Sequence, residues 1–256
     1  MTITQAIISG VIQGITEFFP VSSSGHLVIL HSFFGFQEPQ LLFDVFLHVG
    51  TLVSIGIYFR NDITRLFTDR RTTALYIIIG SIPVILVGLT LRDQVERVFA
   101  MPKVVGLLLL CTGLWLFATQ GALRRRHRLG IEPQPLNIWR SLAIGCAESV
   151  AILPGISRSG ATIGAALMSG LGAEEAFRFS FLLSIPAVLG AVALKALDGG
   201  ALPTAQEAVP FLCGGITATV IGIIVLKILA GLIRSSRIYI FGIYCMLVGI
   251  AFLSVR

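Results

Sequence analysis

Two short segments of this sequence combine the side chains that phosphoryl-group chemistry needs. In the first, a carboxylate (Glu17), a hydroxyl (Ser23) and an imidazole (His26) lie within ten residues of one another. In the second, the guanidinium of Arg158 lies between two serines. A guanidinium can bind two phosphate oxygens, and a hydroxyl beside a base can attack phosphorus. The pattern predicts one catalytic centre for phosphoryl transfer, formed by these four residues.

Further hydroxyls in both segments are predicted to bind the substrate. Each cluster follows a proline and can begin a new helix, whose free N–H groups and positive dipole end attract anions. Two such helix ends that face each other would suit a diphosphate. The predicted substrate-binding residues are Ser22, Ser24, Ser157, Ser159 and Thr162.

The composition indicates a membrane protein. Of 256 residues, 55% are hydrophobic and 12% are charged, whereas soluble domains average about 25% charged residues. This excludes a soluble globular enzyme and a disordered chain. The net charge of +6 comes from arginine clusters between apolar runs, which favours a role in membrane orientation over nucleic-acid binding. The first 20 residues contain no Lys or Arg, so a cleavable signal peptide is not expected.

Six apolar runs are long enough to cross a bilayer, which takes about 17–25 residues. They are Leu42–Phe59, Thr73–Leu91, Val104–Thr119, Phe177–Leu197, Val209–Ile233 and Ile238–Val255. Two more apolar segments, Ala6–Phe34 and Leu142–Leu171, are broken halfway by Pro and Ser/Gly clusters, and each half is too short to span. The predicted fold is therefore an all-α polytopic membrane protein with six transmembrane helices and two re-entrant hairpins.

The two hairpins resemble each other at a spacing of 135 residues. This spacing aligns Ser22-Ser23-Ser24-Gly25 with Ser157-Arg158-Ser159-Gly160, and it aligns Gln13 with Glu148. Three spans separate the hairpins, so the second copy is inverted. The prediction is one membrane domain, 1–256, with a first repeat at 1–120 and a second, inverted repeat at 139–256.

At these motifs the sequence resembles a known family. Gln13 to Leu27, with its Gln-x-x-x-Glu pattern and serine-rich loop, looks like the first signature of bacterial undecaprenyl-diphosphate phosphatases, the bacitracin-resistance family. Pro154 to Thr162 is similar to the second signature, PGxSRSxxT. The resemblance implies hydrolysis of a C55 isoprenyl diphosphate in the bacterial inner membrane, an inverted-repeat fold and a homodimer.

The resemblance also implies a divalent metal, Mg or Ca, held by Gln13 and Glu17. Many members of the family have a glutamate where this chain has Gln13. A neutral amide can coordinate a cation but cannot act as a base, so metal binding is expected to depend more on Glu17.

The expected mechanism is attack by Ser23 on the terminal phosphorus, with His26 as its base. Glu17 would orient His26 or hold the metal, and Arg158 would neutralise phosphate oxygens. The spacing leaves open whether Ser23 or His26 is the nucleophile.

Two other protein classes share parts of this pattern. A transporter or flippase for the same lipid would also have inverted repeats and a midplane anion site, but it needs no positioned nucleophile. A type 2 phosphatidic acid phosphatase is excluded because the nucleophilic histidine of that class should follow Arg158 by several residues, and Ser159–Gly172 contains no histidine.

Orientation follows from the basic residues. Most of the 19 Lys and Arg residues fall in loops on the side opposite the N-terminus, which predicts that this side is cytoplasmic and that the catalytic centre faces the exterior. Outside the centre, Asp44 and His48 lie four residues apart at the start of the first span, close enough in sequence to line the pocket, but they are interpreted as a helix-end pair. His31 is interpreted as an interfacial residue. Trp115 and Trp139 are expected to face lipid or the interface.

Overall fold

The computed structural model describes residues 1–36, 38, 40–99, 101–197, 203–234 and 237–254. Within these ranges every regular element is helical. The described helices are α1 (Ile3–Thr16), α2 (Ser23–Phe33), α3 (Leu41–Tyr58), α4 (Arg60–Leu66), α5 (Arg71–Thr90), α6 (Arg92–Phe99), α7 (Pro102–Arg128), α8 (Ile138–Val150), α9 (Arg158–Met168), α10 (Ala173–Leu197), α11 (Ala205–Arg234) and α12 (Tyr239–Ser254).

Five of these helices, α3, α5, α7, α10 and α11, are long and apolar enough to cross a membrane. They correspond to the first five predicted spans. The sixth predicted span corresponds to α12, which has 16 described residues; Val255, its predicted end, lies outside the described residues. The all-α polytopic membrane fold is thus confirmed.

The two broken segments form the predicted pairs of short helices. Helices α1 and α2 have 14 and 11 residues, and α8 and α9 have 13 and 11. At about 1.5 Å per residue, none of them spans a hydrocarbon core of about 30 Å. The side on which each pair opens, and the division into repeats at 1–120 and 139–256, stay predictions.

Two close helix crossings place these hairpins in the fold. Helix α1 packs along α11, and α8 packs along α5. A Cβ atom on Gly10 would collide with the carbonyl oxygen of Gly214, and one on Gly145 with that of Gly80. Only glycine permits such an approach, which is a common way for membrane helices to pack. Gly10 and Gly145 hold corresponding positions in the two hairpins.

The last turn of α9 is fixed by two arginines. Arg126 donates to the carbonyl oxygens of Leu167 and Gly170 at 2.9 and 2.8 Å, and Arg140 donates to that of Ser169 at 2.9 Å. These carbonyls lack partners inside the helix and form its negative end, so cations stabilise it. Arginines that the sequence assigns to orientation alone therefore also hold the second hairpin.

Candidate active site

The breaks of the two hairpins contact each other directly. The Gly155 N–H donates to the Ser22 hydroxyl oxygen at 3.0 Å, and the Ser159 hydroxyl donates to the carbonyl oxygen of Phe19 at 3.1 Å. Residues that lie more than 130 positions apart in sequence are thereby brought to one site. The two breaks together carry all of the predicted catalytic residues.

Serine caps decide where the two return helices begin. The Ser22 hydroxyl accepts from the Gly25 N–H at 3.4 Å, and the Ser157 hydroxyl accepts from the Gly160 N–H at 3.1 Å. Ser22 has φ of +68°, a left-handed conformation that is unfavourable for a residue with a side chain. Its bond to Gly155 helps to hold this strained turn. As a result, Ser23 and Arg158 are the first residues of α2 and α9.

Glu17 is the centre of the polar network and is only 6% exposed. Its Oε1 accepts from Arg158 Nη2 at 2.5 Å, and its Oε2 accepts from the Ser23 hydroxyl at 2.6 Å. Gln13 Nε2 donates to the same Oε2 at 3.3 Å, and His48 Nε2 lies 3.5 Å from it. A buried carboxylate needs such partners, because an unpaired charge would be costly away from water.

His26 lies at the edge of this network with its own partners. Its Nδ1 is 2.7 Å from the carbonyl oxygen of Ser22, and its Nε2 is 2.8 Å from the Tyr244 hydroxyl. His26, Ser23 and Glu17 are all described, and no hydrogen bond joins His26 to either of the other two. The base closest to the Ser23 hydroxyl is therefore Glu17, whereas the sequence suggested His26.

The other predicted hydroxyls are largely occupied inside the protein. Ser24 lies 3.4 Å from Ser22, and Ser157 lies 3.2 Å from Ser159, measured between hydroxyl oxygens. Thr162 donates to the carbonyl oxygen of Arg158 at 2.8 Å and is fully buried. Their contribution to substrate binding stays a prediction, and in this structure they shape the turns.

Several buried side-chain atoms of the two hairpins have no hydrogen-bond partner. Among them are Nη1 of Arg158, Oε1 of Gln13 and both carboxylate oxygens of Glu148. The guanidinium also lies over the Phe181 ring, 5.3 Å from its centroid. Since buried polar groups are normally satisfied, the free donor of Arg158 suits a phosphate oxygen and the free amide oxygen of Gln13 suits a cation.

The donor set of Gln13 and Glu17 fits a hard divalent cation in part. Carboxylate and amide oxygens are ligands that Mg²⁺ and Ca²⁺ prefer. Among the described residues there is no cluster of three or more His, Cys, Asp or Glu side chains that could hold a metal by itself. A cation here would therefore share the oxygens of a bound phosphate, as Mg²⁺ commonly does.

Three residues, His48, His31 and Trp115, differ from the interpretation that the sequence favoured. The imidazole of His48 has Nδ1 2.7 Å from the carbonyl oxygen of Asp44 and Nε2 3.5 Å from Glu17 Oε2, so it also reaches the polar network, which favours the pocket-lining alternative over a helix-end pair alone. His31 is buried, 5% exposed, and its Nδ1 lies 3.9 Å from Asp44 Oδ1. Trp115 donates to the carbonyl oxygen of Gly160 at 3.1 Å and so supports the second hairpin from α7. Trp139, 79% exposed, lies on the surface as expected.

One site residue, Tyr244, was missed by the sequence analysis. The sequence did indicate His48 as a possible pocket residue, because it lies four residues after Asp44 on a span that follows the first hairpin directly, but the helix-end pair was preferred. For Tyr244 there was no signal, because it lies 218 residues from His26 in an apolar helix.

Comparison with known proteins agrees with this geometry. The family model described as "Bacitracin resistance protein BacA" matches residues 6–251. A protein named undecaprenyl-diphosphatase from Korarchaeum cryptofilum is 40% identical over 271 aligned positions, which cover 99% of each chain. One of the same name from Desulfosudis oleivorans is 41% identical and covers 96% of this chain and 95% of its own. These names are those of hydrolases and do not favour the transporter alternative.

Proposed function

The chain belongs to the family of the bacitracin resistance protein BacA, and we propose that it hydrolyses undecaprenyl diphosphate to undecaprenyl phosphate and inorganic phosphate. The reaction returns the C55 lipid carrier to cell-wall synthesis. The observation that carries the proposal is the position of Glu17, whose two carboxylate oxygens bind the Ser23 hydroxyl and the Arg158 guanidinium. A nucleophile, its base and a phosphate-binding cation thus meet where the two hairpins touch.

The first chemical step uses the contact between Ser23 and Glu17. The Ser23 oxygen attacks the terminal phosphorus, its proton passes to Glu17 Oε2 across 2.6 Å, and the bond from phosphorus to the bridging oxygen breaks. Undecaprenyl phosphate leaves. Water then attacks the phosphoserine, His26 accepts the proton of that water, and the proton on Glu17 returns to the Ser23 oxygen as inorganic phosphate departs. His26 releases its proton to bulk water, which restores the starting state.

Arg158 stabilises the charge that develops on the transferred phosphoryl group. Its Nη2 is held by Glu17, which fixes the guanidinium, while its buried Nη1 is free to bind a phosphate oxygen. The first backbone N–H groups of α2 and α9 lie at the same contact and add positive potential. Such preorganised electrostatic stabilisation supplies most of the rate in phosphoryl transfer.

A divalent metal, Mg or Ca, is part of the proposal. Glu17 and the free amide oxygen of Gln13 would hold it together with phosphate oxygens. When bound, it would neutralise phosphate charge and orient the terminal group. The chain itself would supply two kinds of buried oxygen ligand, the carboxylate of Glu17 and the amide oxygen of Gln13.

Membrane location and assembly complete the proposal. The family resemblance supports a location in the bacterial inner membrane, and the positive-inside bias supports a site open to the exterior, where a spent diphosphate carrier would be released. The family resemblance supports a homodimer. Size-exclusion chromatography with light scattering on the detergent-purified protein would measure its mass directly.

The activity is tested with purified protein in detergent and undecaprenyl diphosphate. Release of inorganic phosphate together with the monophosphate lipid is expected, and Arg158→Ala serves as the control for contaminating phosphatases. If the wild-type protein binds the lipid but releases no phosphate, the transporter alternative replaces the hydrolase.

A further inference from the structure

The hydrogen bonds of His26 define which of its ring nitrogens can accept a proton. A carbonyl oxygen only accepts, so Nδ1, 2.7 Å from the Ser22 oxygen, carries the ring hydrogen in neutral imidazole. The lone pair is then on Nε2. This atom lies 2.8 Å from the Tyr244 oxygen, so the tyrosine hydroxyl is the donor of that bond.

Helix α12 presents Tyr244 to the first hairpin along one face. Phe241 contacts the Phe19 ring with 5.1 Å between centroids, and the Cys245 thiol lies 3.6 Å from the carbonyl oxygen of Pro20. Positions 241, 244 and 245 share one face of a helix because they are three and four residues apart. The break of the first hairpin and α12 are therefore packed together on both sides of the tyrosine.

We propose that Tyr244 relays a proton in the hydrolytic reaction, from the attacking water to His26. Its hydroxyl fixes the imidazole as the tautomer with hydrogen on Nδ1 and occupies the only lone pair of Nε2, so the tyrosine oxygen accepts the proton of the water as its own hydrogen passes to Nε2. The two rings are almost parallel, with an interplanar angle of 8°, which restricts rotation of the imidazole about its side-chain bond. The inference rests on the proposed function, since it assigns a partner to the base of the water-attack step.

A packing role alone does not account for this contact. The Tyr244 side chain is 42% exposed, so burial does not force its hydroxyl against His26. His26 has its other nitrogen bonded inside its own hairpin, and Tyr244 supplies the only described side-chain hydrogen bond that reaches it from elsewhere in the chain. The second predicted repeat thus provides Tyr244 as well as Arg158 to the centre.

Tyr244→Phe tests the proposal because it keeps the ring and removes only the hydroxyl. The expected result is a kcat about tenfold lower with KM within about twofold of wild type, a part of the roughly 10²–10⁴-fold that positioned proton transfer is worth. The matched control is Tyr239→Phe on the same helix, which should leave both constants unchanged. Melting temperature and size-exclusion profile of each variant report folding separately.

A spectroscopic measurement tests the tautomer without relying on turnover. In wild-type protein labelled with ¹⁵N-histidine, the His26 signals, assigned by their loss in His26→Gln, should show a protonated Nδ1 and a hydrogen-bonded, unprotonated Nε2. In Tyr244→Phe the Nε2 signal should move to that of a nitrogen without a donor. A wild-type spectrum with hydrogen on Nε2, or a Tyr244→Phe variant with wild-type kcat, would overturn the proposal. Wild-type protein that releases no phosphate would instead overturn the proposed function and leave the spectrum to decide on Tyr244.

Discussion

The first and second hairpins have the same backbone design but different chemistry. Both turns are capped by a serine, Ser22 or Ser157, whose hydroxyl accepts from the N–H of a glycine three residues later. Both entering helices cross a neighbouring helix at a glycine, Gly10 or Gly145. The shared positions are those that end one helix, start the next and permit close packing.

The positions that differ carry the reactive groups. Glu17 and His26 of the first hairpin correspond to Ile152 and Ala161 of the second, and Ser23 corresponds to Arg158. Among these positions, the first hairpin thus has the acid, the imidazole and the hydroxyl but no cation, and the second has the cation. The difference teaches that neither hairpin is a site by itself, because the ion pair of Glu17 and Arg158 forms only across their contact.

The strongest test of this division is to remove the bond between the two hairpins. Glu17→Ala and Arg158→Ala should each lower kcat at least about 10³-fold, because one removes the base and the other the phosphate clamp. Phosphate release from the lipid diphosphate measures the effect. Ile152→Val, at the position that corresponds to Glu17, is the control and should retain most of the wild-type rate. A rate above a tenth of wild type in either alanine variant would show that the contact is structural only.

A second test separates the hydroxyls at the start of α2. Ser23→Ala should lower kcat about 10³-fold, since it removes the nucleophile bonded to Glu17. Ser24→Ala, its neighbour, should change kcat less than about tenfold, because the predicted role of Ser24 is binding. Acid quenching during turnover followed by mass spectrometry should detect phosphoserine at position 23 in the wild type. Near-normal activity of Ser23→Ala would make His26 or water the nucleophile.

The positions of these groups could be predicted from the sequence where the signal is local. Pro20 and the serines after it mark a helix break and a cap within a few residues, and the second hairpin repeats the pattern. A pairing of Glu17 with Arg158 could also be predicted, since charged side chains inside a membrane are expected to pair with one another.

Contacts between distant helices could not be predicted in this way. The Tyr244–His26 bond and the Trp115–Gly160 bond depend on how α12 and α7 are rotated about their axes. That rotation is set by packing over the whole fold, and an apolar helix has no strong periodic pattern to reveal it. His48 was misassigned for a related reason. A spacing of four residues shows that two side chains share a face of one helix, but it does not show which residues of other helices that face contacts.

A third test uses the position at which the first hairpin has an amide, Gln13, and the second hairpin has an acid, Glu148. Gln13 donates to Glu17, whereas Glu148, the corresponding residue, has no hydrogen-bond partner for either oxygen. Gln13→Glu would place two carboxylates together, and a divalent cation would relieve their repulsion. The metal concentration for half-maximal rate should fall, because the affinity of a site for a hard cation rises with the number of its charged oxygen ligands. Gln13→Ala should raise it with little loss at saturating metal, and no change in either variant would make Gln13 a packing residue.

The last test concerns the orientation of the chain in the membrane, and it measures labelling instead of the reaction rate. Asp69 and Glu207 are exposed at opposite ends of the predicted topology, Asp69 before α5 and Glu207 at the start of α11. Each is changed to cysteine in a background without the four native cysteines, and intact cells are treated with an impermeant thiol reagent. Because most Lys and Arg residues lie on the side of Asp69, that side should be cytoplasmic, and only Glu207→Cys should be labelled.

Permeabilised cells, in which both sites should react, control for accessibility. Labelling of Asp69→Cys in intact cells would reverse the topology and place the contact between the hairpins, and hence the catalytic centre, toward the cytoplasm.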